Sequence, residues 1–287
     1  MASPAVTRSK TGFPTTLLLS CVLGLFALIA HLQFETLTER FPLISQAIPG
    51  SIASYLGSRG TNPTEEQYGQ EQYDHVCPKN NATIKIFSSY PLILYIENFL
   101  SEAERDHLKL IAEPLYNRSK VATDERTDDI RTSSSAMLPD EDPVADCIIR
   151  RAAEFQGYIS PRRIEVLQLV RYKPGEKYEA HLDWDEGEDP ADIRTSTFFA
   201  YVGCDGCSGG STKFYSLARK AMSREWCRVI NCTASGVEFL PIPGAAIFWE
   251  NVDEHGNGRA DVLHSGMPLL EGVKYGLNIW TRKRKMY

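Results

Sequence analysis

The stretch "YEAHLDWDEG", residues 178 to 187, sets His181 and Asp183 two apart in a run that reads as a strand. Side chains at i and i+2 of a strand share a face. The two are therefore expected to project together, with Leu182 and Trp184 on the other side. A surface ion pair is one meaning of such a pairing. Two ligands of a metal are the other, and they need a third ligand from elsewhere. Of the other histidines, His31 falls in an apolar N-terminal segment, His75 in a polar linker, His107 in a helical pattern and His255 in a Gly-rich loop. His264 sits in "DVLHSGMPLLEGVKYGLNIW", between Leu263 and a Ser-Gly pair, just ahead of the last strand. A lone histidine there would ordinarily be a packed or surface residue. With His181 and Asp183 it completes a set of two imidazoles and one carboxylate.

That donor set is the facial triad of non-haem Fe(II) oxygenases. Three protein ligands on one face of an octahedron leave three positions open, two for a bidentate co-substrate and one for dioxygen. Zinc hydrolases also use His and carboxylate ligands, so the triad alone does not settle the metal. Lys274 follows His264 by ten residues. On an inward-facing strand it would share a cavity with the metal and, as a buried cation, would need an anion. The far carboxylate of a dicarboxylic co-substrate would meet that need. A solvated lysine at a strand start is the plainer alternative.

The surrounding pattern suggests how such residues are positioned. "IKIFSSYPLILYIENFLS" reads as one or two strands. Ser101 and Glu104 form a capping box, and Leu108, Ile111 and Ala112 give the following helix an apolar stripe until Pro114. A second helix is expected across "PVADCIIRRAAEFQGYI", with Pro143 near its start. Short β-rich segments then follow: "IEVLQLVRY", "TSTFFAYV", "GVEFLPI", "GAAIFWEN" and "KYGLNIWTR". Helices first and strands after predict a mainly β fold, with helices packed outside a β-sandwich or barrel-like core.

The chain has 287 residues, 43% of them hydrophobic and 24% charged, with a formal net charge of −6. This is enough for one sizeable core and gives no sign of a nucleic-acid binder. The closing run Arg282-Lys283-Arg284-Lys285 is read as a solvated tail. Residues 1–14 precede an apolar run, Thr15 to Phe34, which is long enough for a membrane span. Arg8 and Lys10 before it and Glu35 and Glu39 after it predict a signal anchor with a cytoplasmic N-terminus and a lumenal body. A cleaved signal peptide is the rival reading. Residues 35–80 read as a stalk and 81–287 as the catalytic domain. Sequons at Asn81, Asn117 and Asn231 agree with a lumenal body. So do the six cysteines outside the apolar run, which suggest disulfides of undetermined pairing. Cys204-x-x-Cys207 with Cys227 and Cys232 would alternatively make a zinc site.

On these motifs the sequence resembles the catalytic domain of prolyl 4-hydroxylases, in the iron- and 2-oxoglutarate-dependent dioxygenase superfamily. The resemblance covers roughly residues 90 to 283. It rests on "RTSSSAML", "RYKPGEKYEAHLDW", "GGSTKFY", "PIPGAAIFWEN" and "LHSGMPLLEGVKYGLNIWTR" in that order. It implies a double-stranded β-helix (jelly roll) flanked by helices. His181, Asp183 and His264 would bind Fe(II). Lys274 would hold the far carboxylate of 2-oxoglutarate, and Tyr172 and Thr212 would hydrogen-bond the same co-substrate. Tyr178, Arg194 and Trp280 would face a proline-containing peptide. The implied reaction consumes dioxygen, releases succinate and carbon dioxide and hydroxylates a C–H bond, with ascorbate as reductant. Retention of Asp183 favours hydroxylation over halogenation. The glycines of "GGSTKFY" would admit a close strand approach. Tyr215 replaces a proline common at the end of that motif. The Cys204/Cys207 and Cys227/Cys232 pairs look like additions stapling the loop before the Gly-Gly strand. The implied setting is the endoplasmic reticulum membrane, single-pass, with the catalytic part lumenal. A different substrate with the same cofactors, or a jelly-roll binding protein with a vestigial site, are the competing readings.

Overall fold

The computed structural model describes residues 77–119, 130–185, 187–217 and 224–286. The expected cytoplasmic tail, the anchor at 15–34 and most of the stalk lie outside the described residues. Among those described, no helix is long and apolar enough to cross a membrane.

The two expected helices form where their caps place them. α1 spans Glu102–Ala112 and α2 spans Pro143–Phe155. Ser101 Oγ accepts from the Glu104 amide at 3.3 Å, and Glu104 Oε2 accepts from the Ser101 amide at 2.7 Å, closing the capping box. Pro114 lies in a single 3₁₀ turn that ends α1. Asp142 caps α2 by accepting from the Val144 and Ala145 amides, with Pro143 at the first helical position. Arg151 of α2 pairs with Glu104 of α1 at 2.5 Å and donates to the Phe99 carbonyl.

Among the described residues, twelve strands make two sheets. They are β1 Thr83–Ser89, β2 Leu92–Glu97, β3 Asn117–Arg118, β4 Ser134–Met137, β5 Gln168–Tyr172 and β6 Tyr178–His181, then β7 Arg194–Gly209, β8 Thr212–Phe214, β9 Val237–Phe239, β10 Ala246–Glu250, β11 His264–Gly266 and β12 Leu269–Arg282. The larger sheet runs β1-β2-β10-β7-β12-β5-β4-β3 and the smaller β6-β11-β8-β9. The arrangement is mainly β and agrees with a jelly roll. β7 and β12 extend well beyond the apolar runs that predict them, pairing from Leu269↔Gly209 to Arg282↔Arg194.

β7 shows why the sequence alternates poorly here. Phe199 and Tyr201 join a buried cluster with Ile247 and Trp249 of the larger sheet and Phe214, Val237 and Phe239 of the smaller one. Phe198 turns the other way and meets Phe155 of α2 and Phe99, with ring centroids 5.2 and 5.4 Å away. Successive residues serve opposite faces, and helices cover the face that the small sheet does not. The strand is therefore buried on both sides and reads as one continuous apolar run.

The expected disulfides form, and three other expectations change. The zinc alternative gives way to disulfides, Cys77–Cys147, Cys204–Cys207 and Cys227–Cys232. The last two do not staple one loop together. Cys204–Cys207 closes within β7 itself, and Cys227–Cys232 closes a separate turn ahead of β9. The C-terminal basic run is not simply solvated. Arg282 belongs to β12 and binds Glu165 and Glu188, and Arg284 binds Asp192, because an acidic loop folds over the end of that strand. Cys77 and Asn80, at the end of the expected stalk, are tied to the folded body through Cys147 and through the Phe99 carbonyl.

Cys77–Cys147 closes a separation of 70 residues. Cross-linking at that range restricts the unfolded chain most. Cys147→Ala is expected to lower stability by about 2–4 kcal/mol, whereas Cys204→Ala, with its separation of 3, changes the melting temperature far less. Thermal melting of the two variants checks this ordering.

Candidate active site

β6 and β11 pair antiparallel with His264 directly opposite His181. Two imidazoles from distant parts of the chain thus become cross-strand neighbours, with ring centroids 4.3 Å apart. The strand-alternation expectation for Asp183 needs correction. β6 ends at His181, and Asp183 stands in the bend that follows. The bend still turns its carboxylate to the histidines, leaving 3.8 Å from Oδ1 to His181 Nε2 and 3.8 Å from Oδ2 to His264 Nε2. One ligand atom from each of the three lies within 4.8 Å of the others.

Both rings are oriented alike. His181 Nδ1 meets the Glu179 carbonyl at 2.8 Å, and His264 Nδ1 meets the Val262 carbonyl at 3.1 Å. A carbonyl can only accept, so each Nδ1 carries a hydrogen and each Nε2 is the ring nitrogen turned toward Asp183. Burial, reinforced by the neighbouring His264, holds the His181 imidazole down to about 3 and therefore neutral. Burial pushes the Asp183 carboxyl up. The two imidazoles, Arg194 and the Thr197 hydroxyl outweigh it, so Asp183 sits below the ordinary range. A neutral His181 imidazole and an ionised Asp183 carboxylate are protonation states that metal binding requires. Walls of rings fix the set: Tyr178 stacks on His181 at 3.6 Å, and Trp249 meets His264 edge-on at 4.7 Å.

A small pocket opens at the triad, with Tyr172, Tyr178, Thr212, Asn278 and Trp280 in its lining. Lys274 lies behind it. It is opposite Tyr172 in the β12–β5 ladder and 1% exposed. Its Nζ donates to the Gly210 carbonyl at 2.6 Å and lies 5.0 and 5.2 Å from the Tyr172 and Phe199 ring centroids. Among the described residues, no carboxylate forms an ion pair with it. Burial lowers this ammonium to about 7. The solvated-lysine alternative is thereby removed. Gly210 is the reason that the approach is possible: at φ +71 a Cβ would lie 2.9 Å from Leu269 Cδ1 and 3.2 Å from Lys274 Cδ. The Tyr201 hydroxyl donates to Thr212 Oγ1 at 2.8 Å, which leaves the Thr212 proton available to the pocket.

The remaining expected site residues divide. Tyr178 and Trp280 line the pocket, and the Trp280 indole N–H has no acceptor within the described residues. Arg194 does not line it. Its guanidinium forks onto Glu165 at 2.6 and 2.8 Å and stacks 3.9 Å over Trp280, so it supports the indole from behind. Sequence reasoning assigned no role to Arg131, although that residue opens a matched motif. It is buried against Tyr178, 4.7 Å from the ring, and donates to Gln168. Thr197, which donates to Asp183, was likewise unsignalled, since it looks like one more residue of a β-rich run.

Two imidazole nitrogens and a carboxylate oxygen suit Fe(II). A dry ammonium beside two hydroxyl-bearing side chains suits the carboxylate of an organic acid. The comparisons agree with this fit. The 2OG-Fe(II) oxygenase superfamily profile matches residues 167–282. Prolyl 4-hydroxylase 2 of Arabidopsis thaliana is 28% identical over 214 residues, covering 70% of each chain. Prolyl 4-hydroxylase subunit alpha-3 of Mus musculus is 31% identical over 201 residues, covering 66% of this chain and 33% of that longer protein. The viral collagen prolyl hydroxylase of Paramecium Bursaria Chlorella virus-1, solved as a 2OG complex, superimposes with a TM-score of 0.51 and 28% identity, covering 67% of this chain and 96% of the viral one. Residues 167–282 thus carry a 2OG-Fe(II) oxygenase domain, and the chain is prolyl 4-hydroxylase-like over about two thirds of its length.

Removing one of three ligands from such a site is expected to weaken divalent-metal binding by at least about 100-fold. His181→Ala and Asp183→Ala should therefore lose Fe(II) and all turnover while keeping the wild-type circular dichroism spectrum. Retained metal binding in either variant would remove that residue from the site.

Proposed function

We propose that this prolyl 4-hydroxylase-like chain hydroxylates peptidyl proline at C4, using Fe(II), 2-oxoglutarate and dioxygen and releasing succinate and carbon dioxide. The observation that carries this is the convergence of His181, Asp183 and His264 on one pocket that a buried, carboxylate-free Lys274 closes from behind. Fe(II) with 2-oxoglutarate supplies the oxidising power that turns one C–H into C–OH, one oxygen atom going to the substrate and one to succinate.

The chain's own residues do the rest. His181, Asp183 and His264 hold the metal. Lys274 forms an ion pair with the far carboxylate of 2-oxoglutarate, and Tyr172 and Thr212 add hydrogen bonds to it. Tyr178 and Trp280 offer ring faces to the apolar edge of a pyrrolidine ring, and the unpartnered Trp280 N–H can donate to a peptide carbonyl. Arg194 acts through Trp280, which it backs. The dry wall around Lys274 and Phe199 keeps water from the co-substrate's anionic end. Ascorbate serves as the reductant that keeps the iron ferrous.

The same reading extends to the cellular setting. We infer a single-pass anchor at 15–34 that leaves the catalytic body in the endoplasmic reticulum lumen. Support comes from three disulfides, which persist in oxidising compartments. Asn81 and Thr83, in a sequon at the start of β1, are exposed. Endoglycosidase treatment of the membrane-bound chain should shift its mobility, and Asn81→Gln should remove most of that shift.

Activity is tested by succinate formation with proline-rich peptides and by mass spectrometry of the peptides. Peptide-dependent succinate with one oxygen added to proline is expected; succinate without a modified peptide would remove proline as the substrate. Lys274→Ala is expected to raise the half-saturating 2-oxoglutarate concentration by at least about 10-fold, the loss of one charge-assisted bond. A pH dependence follows from the low ammonium value. The titratable groups facing Lys274 are Tyr172 and Tyr201, both pushed up by burial and so neutral. Below about 7 the free protein already carries the ammonium. Above it a proton must be taken up when the anion binds, so affinity should fall as pH rises. Calorimetry in buffers of differing ionisation enthalpy should show proton uptake near pH 8 and none near pH 6. Uptake that is absent, or unchanged in Lys274→Ala, would overturn the assignment.

A further inference from the structure

Beneath Asp183 runs a line of buried polar side chains that the chemistry above does not use. Thr197 on β7 and Asn251, one residue past β10, are both 0% exposed. Pairing of β10 with β7 brings them together, and the Asn251 amide donates to the Thr195 carbonyl at 2.9 Å. Asn251 Nδ2 then donates to Thr197 Oγ1 at 2.9 Å, and Thr197 Oγ1 donates to Asp183 Oδ2 at 2.7 Å.

Proton counting fixes the direction of this line. An ionised carboxylate has no proton to give, so the contact between Thr197 and Asp183 takes the only proton on the hydroxyl. The hydroxyl oxygen can then only accept, and Asn251 must present its NH₂. A reversed amide would set its carbonyl oxygen against an oxygen with no proton left. The arrangement has a cost, since Asn251 Oδ1 is buried with no partner among the described residues. An apolar residue would avoid that cost, so packing alone does not account for asparagine here.

We propose that Asn251 and Thr197 are positioning residues that hold the Asp183 carboxylate in the orientation it needs beside the two imidazoles. Thr197 holds Oδ2 by its hydrogen bond, with Oδ1 left 3.8 Å from His181 Nε2 and Oδ2 3.8 Å from His264 Nε2. This rests on the reading of the triad as a metal site. The consequence is chemical: a carboxylate free to turn would lose the setting in which one oxygen faces each imidazole. Asn251 acts at one remove, by keeping the Thr197 proton aimed at Asp183.

The test uses the full chain with Co(II) in place of Fe(II), because Co(II) is stable in air and its visible absorption reports coordination. Thr197→Val keeps the volume and deletes the donor. It is expected to weaken Co(II) binding about 10–100-fold and to change the visible spectrum. Thr197→Ser should restore both. Asn251→Asp sets a second acceptor in competition for the same proton and should weaken Co(II) binding in the same direction, which gives a reading even if Thr197→Val fails to fold. Wild-type Co(II) affinity and spectrum in a folded Thr197→Val or Asn251→Asp chain would overturn the proposal, whatever the metal-free melting temperatures do. Equal Co(II) binding by the wild type and His181→Ala would instead overturn the metal site itself, and the positioning role with it.

Discussion

The rung that sets His264 opposite His181 is the constraint on which the site depends. Antiparallel register fixes which side chains face each other, and a slip of one residue would send an imidazole to the opposite face. Everything near the rung holds it in place. β8 pairs with the other side of β11, so His264 is also opposite Phe214. Phe214 and Trp249 pack against the His264 ring, and Tyr178 against His181. The small sheet thus supplies the two imidazoles, and the large sheet supplies Trp249, Thr197 and the floor beneath Asp183. The sandwich brings together two imidazoles, His181 and His264, that 82 intervening residues separate in the sequence.

The second organising fact is the burial of Lys274. A dry ammonium with one carbonyl partner is unfavourable in the free protein, which is why it loses its proton so much more readily than a solvated lysine. The fold tolerates this because Tyr172, Phe199 and Tyr201 surround it with ring faces and because Gly210 lets a carbonyl come within reach. Local instability and binding specificity have the same origin here. On the proposed reading, an anion of the right length completes the site by pairing with Lys274.

Arg194 and Asp183 show how a role seen in sequence can be routed differently in three dimensions. Arg194 was expected to face a peptide, and its charge is instead spent on Glu165 while its plane supports Trp280. Asp183 was expected to join the two histidines from a strand, and it faces them from a bend, held by Thr197. In both cases the side chain near the pocket depends on a partner that is distant in sequence.

The sequence by itself determined the parts governed by local chemistry. The capping box at Ser101, the Asp142-Pro143 start of α2, the apolar strands and the His-x-Asp, His and Lys spacing were all legible, because each depends on neighbours within a turn, a strand or a short motif. The tertiary structure decided what depends on contacts between distant segments. It selected the cysteine pairing, since spacing cannot distinguish a disulfide from a metal ligand. It drew Arg282 out of a run that looked like a solvated tail, through acidic partners almost a hundred residues away. It also aligned Asn251, Thr197 and Asp183, whose hydrogen bonds join residues 54 and 14 positions apart and leave no periodic trace in the sequence.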